Sequence, residues 1–70
     1  MESSLSPDEK YIAYELIDDT GINLMLYEIS TGERTGVGLI PSLGYGTADP
    51  HKPIWLSATE LQWRGSTYRL

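Results

Sequence analysis

Seventy residues with ten acids, five Lys or Arg, a net charge of −5 and no cysteine allow one small domain at most, and exclude a disulfide framework, thiol chemistry and zinc–thiolate sites. The negative balance argues against contact with nucleic-acid phosphates, and no stretch approaches the roughly 20 apolar residues of a membrane helix. The polar start Met1-Glu2-Ser3-Ser4 is expected to be neither signal peptide nor lipidation site, and the missing cysteines point to a reducing, cytoplasmic setting.

In chain order the signals are those of strands. Residues 10–17, Lys-Tyr-Ile-Ala-Tyr-Glu-Leu-Ile, are rich in aromatic and β-branched side chains and predict a first strand. Asp18-Asp19-Thr20-Gly21 predicts a four-residue turn with Gly21 at positive φ, and residues 22–29 predict the returning strand. Ser30-Thr31-Gly32-Glu33 predicts the next turn, and residues 34–40 a third strand in which Gly36 and Gly38 mark a bulge or a close approach of another backbone. Residues 41–52 carry Pro41, Gly44, Gly46 and Pro50 and predict a loop. A short strand over 53–56, a turn at Ser57-Ala58-Thr59, and a tight hairpin of 60–64 and 66–70 around Gly65 complete the chain. The expectation is one domain over residues 1–70, all-β, a small antiparallel meander of about five or six strands, either blade-like or closed as a small sandwich or barrel.

The first hairpin is apolar on both sides. Ile12, Tyr14 and Leu16 alternate with Tyr11, Ala13 and Ile17, and Ile22, Leu24 and Leu26 alternate with Met25, Tyr27 and Ile29. One side is expected to pack on the C-terminal hairpin. The other is expected to meet a second chain, unless the sheet closes on itself.

Residues 5–14, Leu-Ser-Pro-Asp-Glu-Lys-Tyr-Ile-Ala-Tyr, followed by Gly21, Leu24 to Tyr27 and Thr31-Gly32-Glu33, resemble the repeat of TolB-like (WD40-like) β-propellers and of the propeller in prolyl-oligopeptidase-type enzymes. That repeat reads Ser-Pro-Asp-Gly-Lys, an aliphatic-Ala-aromatic strand, a Gly turn, an aliphatic-Tyr strand and Thr-Gly-Glu. Pro53-Ile54-Trp55-Leu56-Ser57 echoes its next start, with Ser57 placed after Ser6 by about one blade period of roughly 40–50 residues. Glu9 stands where the family has Gly, the second copy lacks Pro, Asp and Gly, and one and a half blades fall short of the roughly four that close a propeller. The resemblance implies a scaffold that binds proteins or small ligands and carries over no catalytic residue.

No constellation for chemistry emerges. His51, the single histidine, has only Asp49 near it in sequence and reads as a loop residue. Asp18, Asp19 and Asn23 offer too few oxygens for calcium, which takes six to eight. Gly36-Val37-Gly38 and Gly44-Tyr45-Gly46 precede no helix that could hold a phosphate, and no serine has the Gly-x-Ser-x-Gly context. No cofactor, metal site or enzyme activity is expected.

What remains is contact. Residues 1–35 hold eight acids and two bases, residues 36–70 two acids and three bases, a split that serves solubility or forms a face for a basic partner. Trp63, alternating with Leu61, reads as core, and Trp55 follows the same pattern while also being of the type that anchors interfaces. The candidate partner-binding residues are Asp18, Asp19, Leu24, Tyr45 and Trp55. The leading expectation is a non-catalytic, acidic, inhibitor- or immunity-type protein that binds a protein target. Its alternatives are a self-assembling blade-like module forming a homo-oligomer, and a ligand binder using Tyr45 and the loop of residues 41–52. Neither nucleic acid nor membrane is an expected partner.

Overall fold

Turn chemistry sets the strand ends. The computed structural model describes residues 3–41 and 52–70. Ser6 is 2% exposed, and its Oγ–H donates to Asp8 Oδ1 (2.6 Å) while its Oγ accepts from the N–H groups of Lys10 (3.1 Å) and Tyr11 (3.0 Å). That bracket, with the Ser6 N–H donating to Tyr11 O (2.8 Å), reverses the chain between β1 (Ser3–Leu5) and β2 (Tyr11–Asp18). Asp18 pairs with Gly21, so only Asp19 and Thr20 link β2 to β3 (Gly21–Glu28), two residues rather than the expected four. Gly21 takes φ 134°, the positive value its place in the turn predicts. Beyond β4 (Arg34–Pro41) come β5 (Ile54–Trp55), β6 (Glu60–Trp63) and β7 (Ser66–Arg69). Arg64 at φ 48° and Gly65 at φ 83° join β6 to β7 as a two-residue turn with both centres left-handed, the hairpin type that suits right-twisted strands.

The chain is all-β, with two antiparallel meanders in chain order: a four-stranded sheet β1-β2-β3-β4 and a three-stranded sheet β5-β6-β7. The described residues thus hold seven strands rather than five or six; the one not expected is β1. Ser3-Ser4-Leu5 has no strand propensity of note and is a strand because it pairs with Ala13 and its neighbours and because Ser4 O accepts from Trp55 Nε1 (3.0 Å).

The two sheets close a small core, as one side of the first hairpin predicts. Ala13, Leu24 and Leu26 from the first sheet meet Leu61 and Trp63 from the second, all 6% exposed or less, with Tyr11, Ile22, Val37, Trp55 and Tyr68 around them. The register of β3 with β4 shifts between Leu24 and Met25: Leu24 opposes Gly38 and Met25 opposes Gly36, which leaves Val37 as the bulged residue. Gly38 has a reason to be glycine, since a Cβ there would lie 3.0 Å from the Tyr68 hydroxyl and 3.1 Å from its ring. The bulge is as expected, whereas what comes close at Gly38 is the Tyr68 side chain and not another backbone.

Candidate interaction site

Because strand side chains alternate, burying Ala13, Leu24 and Leu26 on one side of the four-stranded sheet sends their neighbours to the other. Tyr14 pairs with Met25, Ile12 with Tyr27, and Leu5 with Ile12, so these residues share the outer face with Leu16. Arg34 joins them beside Tyr27, and Leu39 beside Asn23. The centre of the face is a shallow depression of about 590 Å³ lined by Ser3, Ile12, Tyr14, Leu16, Met25, Tyr27 and Arg34. Leu5 (51%), Leu16 (41%) and Leu39 (50%) are exposed at its margins. Among the described residues nothing packs over it.

The outer face of the second sheet is different. There Glu60 pairs with Arg69 and Gln62 with Thr67, and Glu60 and Arg69 form an exposed ion pair at 3.5 Å. Ile54, opposite Gln62, is its one large apolar residue in a described strand. The molecule therefore presents an apolar outer face on one sheet and a polar one on the other.

Between the sheets lies a buried acid. Glu15, on the inner face of β2 and 8% exposed, accepts from Trp63 Nε1 (2.6 Å), Arg64 Nε (2.7 Å) and Arg64 Nη2 (3.3 Å). The Arg64 guanidinium also lies 5.8 Å from the Trp63 ring centre. A carboxylate held by these donors is a strut between the sheets.

The candidate residues separate. Leu24 is a correction: it is fully buried and cannot touch a partner, because the outward position of that pair belongs to Met25. Trp55 is also spent internally, half-buried, stacked on Tyr11 with ring centres 6.5 Å apart, and bonded to Ser4 O. Tyr45, with His51 and most of the loop around them, lies outside the described residues. Asp18 and Asp19 are exposed at the β2–β3 turn. The Thr20 hydroxyl, then the Thr20 N–H, donate to Asp18 Oδ1 (2.6 and 2.9 Å) and hold this carboxyl below the usual carboxylate range. Asn23 Nδ2 donates to Leu16 O (3.2 Å). Among the described residues no group of three acidic or histidine side chains could hold a metal ion.

The other acids do not join Asp18 and Asp19. Asp8 and Glu9 in the β1–β2 turn, Glu28 at the end of β3 and Glu33 just before β4 lie at the opposite end of the four-stranded sheet, so the acids of this sheet, the buried Glu15 apart, divide between its two ends rather than forming one face. The outer residues Ile12, Tyr14, Met25 and Tyr27 all stand in the sequence as one side of an alternation, but only packing tells which side faces out. Compared with protein-family models, curated proteins and solved structures, the chain matches none.

Proposed function

We propose that this chain is a non-catalytic protein-interaction module that works by laying the outer face of its four-stranded sheet against another protein surface. One observation carries the reading: Ile12, Tyr14, Leu16, Met25 and Tyr27 form a continuous apolar face around a depression, on a molecule whose other outer face is polar. Large exposed apolar patches of this kind mark interaction sites. Two stacked meanders support the blade-like form of the module. Its two opening turns also match, since Ser6 and Asp8 approach at 2.6 Å and Ser57 and Thr59 at 3.5 Å, both two residues apart. The absence of cysteine fits a cytoplasmic setting. An acidic inhibitor that blocks a basic target has less support, because the acids are divided between the two ends of the sheet.

Met25→Lys tests the reading, because it charges the face and leaves the core alone. The wild type should either associate or bind a hydrophobic fluorescent dye such as anilinonaphthalene sulfonate. Met25→Lys should lose that behaviour while keeping its circular dichroism and its urea midpoint. A monomeric wild type with the same dye signal as Met25→Lys would sink it.

A further inference from the structure

The face has an occupant that its own chemistry specifies. We infer that a second copy of this chain covers it, face to face about a two-fold axis, with Asp18 of each copy against Arg34 of the other. The inference rests on the contact reading above and names the partner.

The contrast between the two outer faces selects the symmetry. Head-to-tail stacking would press Glu60, Gln62, Thr67 and Arg69 of one copy onto the apolar face of the next. It would strip water from four polar side chains against an apolar surface that offers them no new partners, leaving Glu60 and Arg69 only each other. A two-fold contact places apolar face on apolar face and leaves the polar sheets outside, which also closes the assembly at two copies. Tyr14 and Met25 sit near the middle of the face, where each copy meets its mate.

Charge selects the orientation. Asp18 closes the face at the β2–β3 turn, paired with Gly21, and Arg34 closes the other end, paired with Tyr27. Ile12, which shares the Tyr27 rung, lies six residues along β2 from Asp18, roughly 20 Å at the rise of an extended strand. Both end groups are exposed. Asp18 and Arg34 are the charged residues at the outward strand positions of this sheet, and they lie two strands apart, on β2 and β4, so a two-fold axis that runs across the strands and tilts to bring β2 of one copy over β4 of the other sets each Asp18 on the mate's Arg34. An axis along the strands would instead set Asp18 near Asp18 and Arg34 near Arg34, which is repulsive.

Light scattering coupled to gel filtration, over about 1–300 μM protein, tests this directly. The expected result is a monomer–dimer equilibrium that saturates at twice the monomer mass and weakens with salt. Asp18→Arg and Arg34→Asp should each raise the dimer Kd about tenfold or more, since two-fold symmetry counts every pair twice. The double reversal, Asp18→Arg with Arg34→Asp, should restore the wild-type Kd. Both side chains are exposed, so these variants, like Met25→Lys on the same face, keep the fold. A mass that stays at one copy, a mass that climbs without saturating, or a double reversal that fails to restore the dimer overturns the inference. A one-copy mass with a dye signal that depends on Met25 overturns only self-docking and leaves the contact reading standing. A one-copy mass without such a signal overturns both.

Discussion

Trp63 and Glu15 lie far apart in the chain and meet in the interior, with the indole N–H 2.6 Å from Glu15 Oε2. The same oxygen accepts from Arg64 Nε at 2.7 Å, so one carboxylate ties β2 to the β6–β7 turn. Arg64 holds φ 48°, a conformation that a turn of this type gives more readily to Asn, Asp or Gly. Its reach to Glu15 accounts for an arginine in that strained place. Glu15→Gln keeps the shape and one acceptor oxygen but removes the charge beside Arg64. A loss of about 2–4 kcal/mol is expected. It reads as a lower urea midpoint with an unchanged m value, and as a shift in Trp63 emission. An unchanged midpoint would show that the charge contributes nothing to holding the sheets together.

Gly36 and Gly38 are two residues apart and should answer differently to the same methyl group. At Gly38 a Cβ meets the Tyr68 ring at 3.0–3.1 Å, and Tyr68 is itself wedged beside Trp63 with ring centres 6.2 Å apart. Gly38→Ala therefore forces the second sheet to shift, at a cost of about 1–3 kcal/mol. At Gly36 the nearest atom is Met25 Sδ at 3.6 Å, an ordinary contact with a flexible side chain. Gly36→Ala should be neutral, or stabilising by about 0.4–1 kcal/mol through the unfolded chain. Thermal melts of the two variants give the comparison, and equal losses would place the Tyr68 contact elsewhere.

These two cases show what the sequence makes legible and what it hides. Alternating Val, Ile, Leu and Tyr between Gly, Asp and Ser turns predicts strands and their order, because strand period and turn chemistry are local. The paired glycines predict the bulge for the same reason. The inward side of the first hairpin is not local. Leu24 and Met25 are both apolar, so alternation alone cannot say which is buried, and the answer comes from Leu61 and Trp63 on the other sheet. Glu15 interrupts an otherwise apolar series and reads as solvent-facing until the donors brought by the β6–β7 turn are placed beside it. Strand β1 is invisible for a similar reason, since Ser-Ser-Leu takes its structure from the strand it pairs with. Met25, Tyr14 and Arg34 were accordingly missed as surface candidates, while Asp18 and Asp19 were legible as turn residues.

Glu9 offers a stabilising change. It stands at φ 59° in the β1–β2 turn, where a side chain crowds the backbone. It is exposed, and its N–H donates to Ser6 O at 2.9 Å, a bond glycine also makes. Glu9→Gly relieves the left-handed strain at the cost of a freer unfolded chain, for a net gain of about 0.5–1 kcal/mol. The Tm should rise by a few degrees, and a fall would mean that the Glu9 side chain holds the turn in some other way.

The same turn carries a pH dependence with a definite sign. The Ser6 hydroxyl, foremost, and the Lys10 N–H donate to Asp8 and hold its carboxyl below the ordinary carboxylate value. A group whose folded pKa is depressed stabilises the fold above its unfolded pKa, about 3.9 for Asp, and loses that contribution as pH falls through the folded value. Asp8→Asn should therefore lower the urea midpoint at about pH 7, and the gap from wild type should be narrower at about pH 2.5. Ser6→Ala behaves otherwise. It removes the buried hydroxyl that accepts from the Lys10 and Tyr11 N–H groups, so its loss of about 1–3 kcal/mol should persist at low pH. Urea titrations of the three proteins at both pH values separate charge from backbone support, and an Asp8→Asn gap of the same size at both would remove the carboxylate from the account.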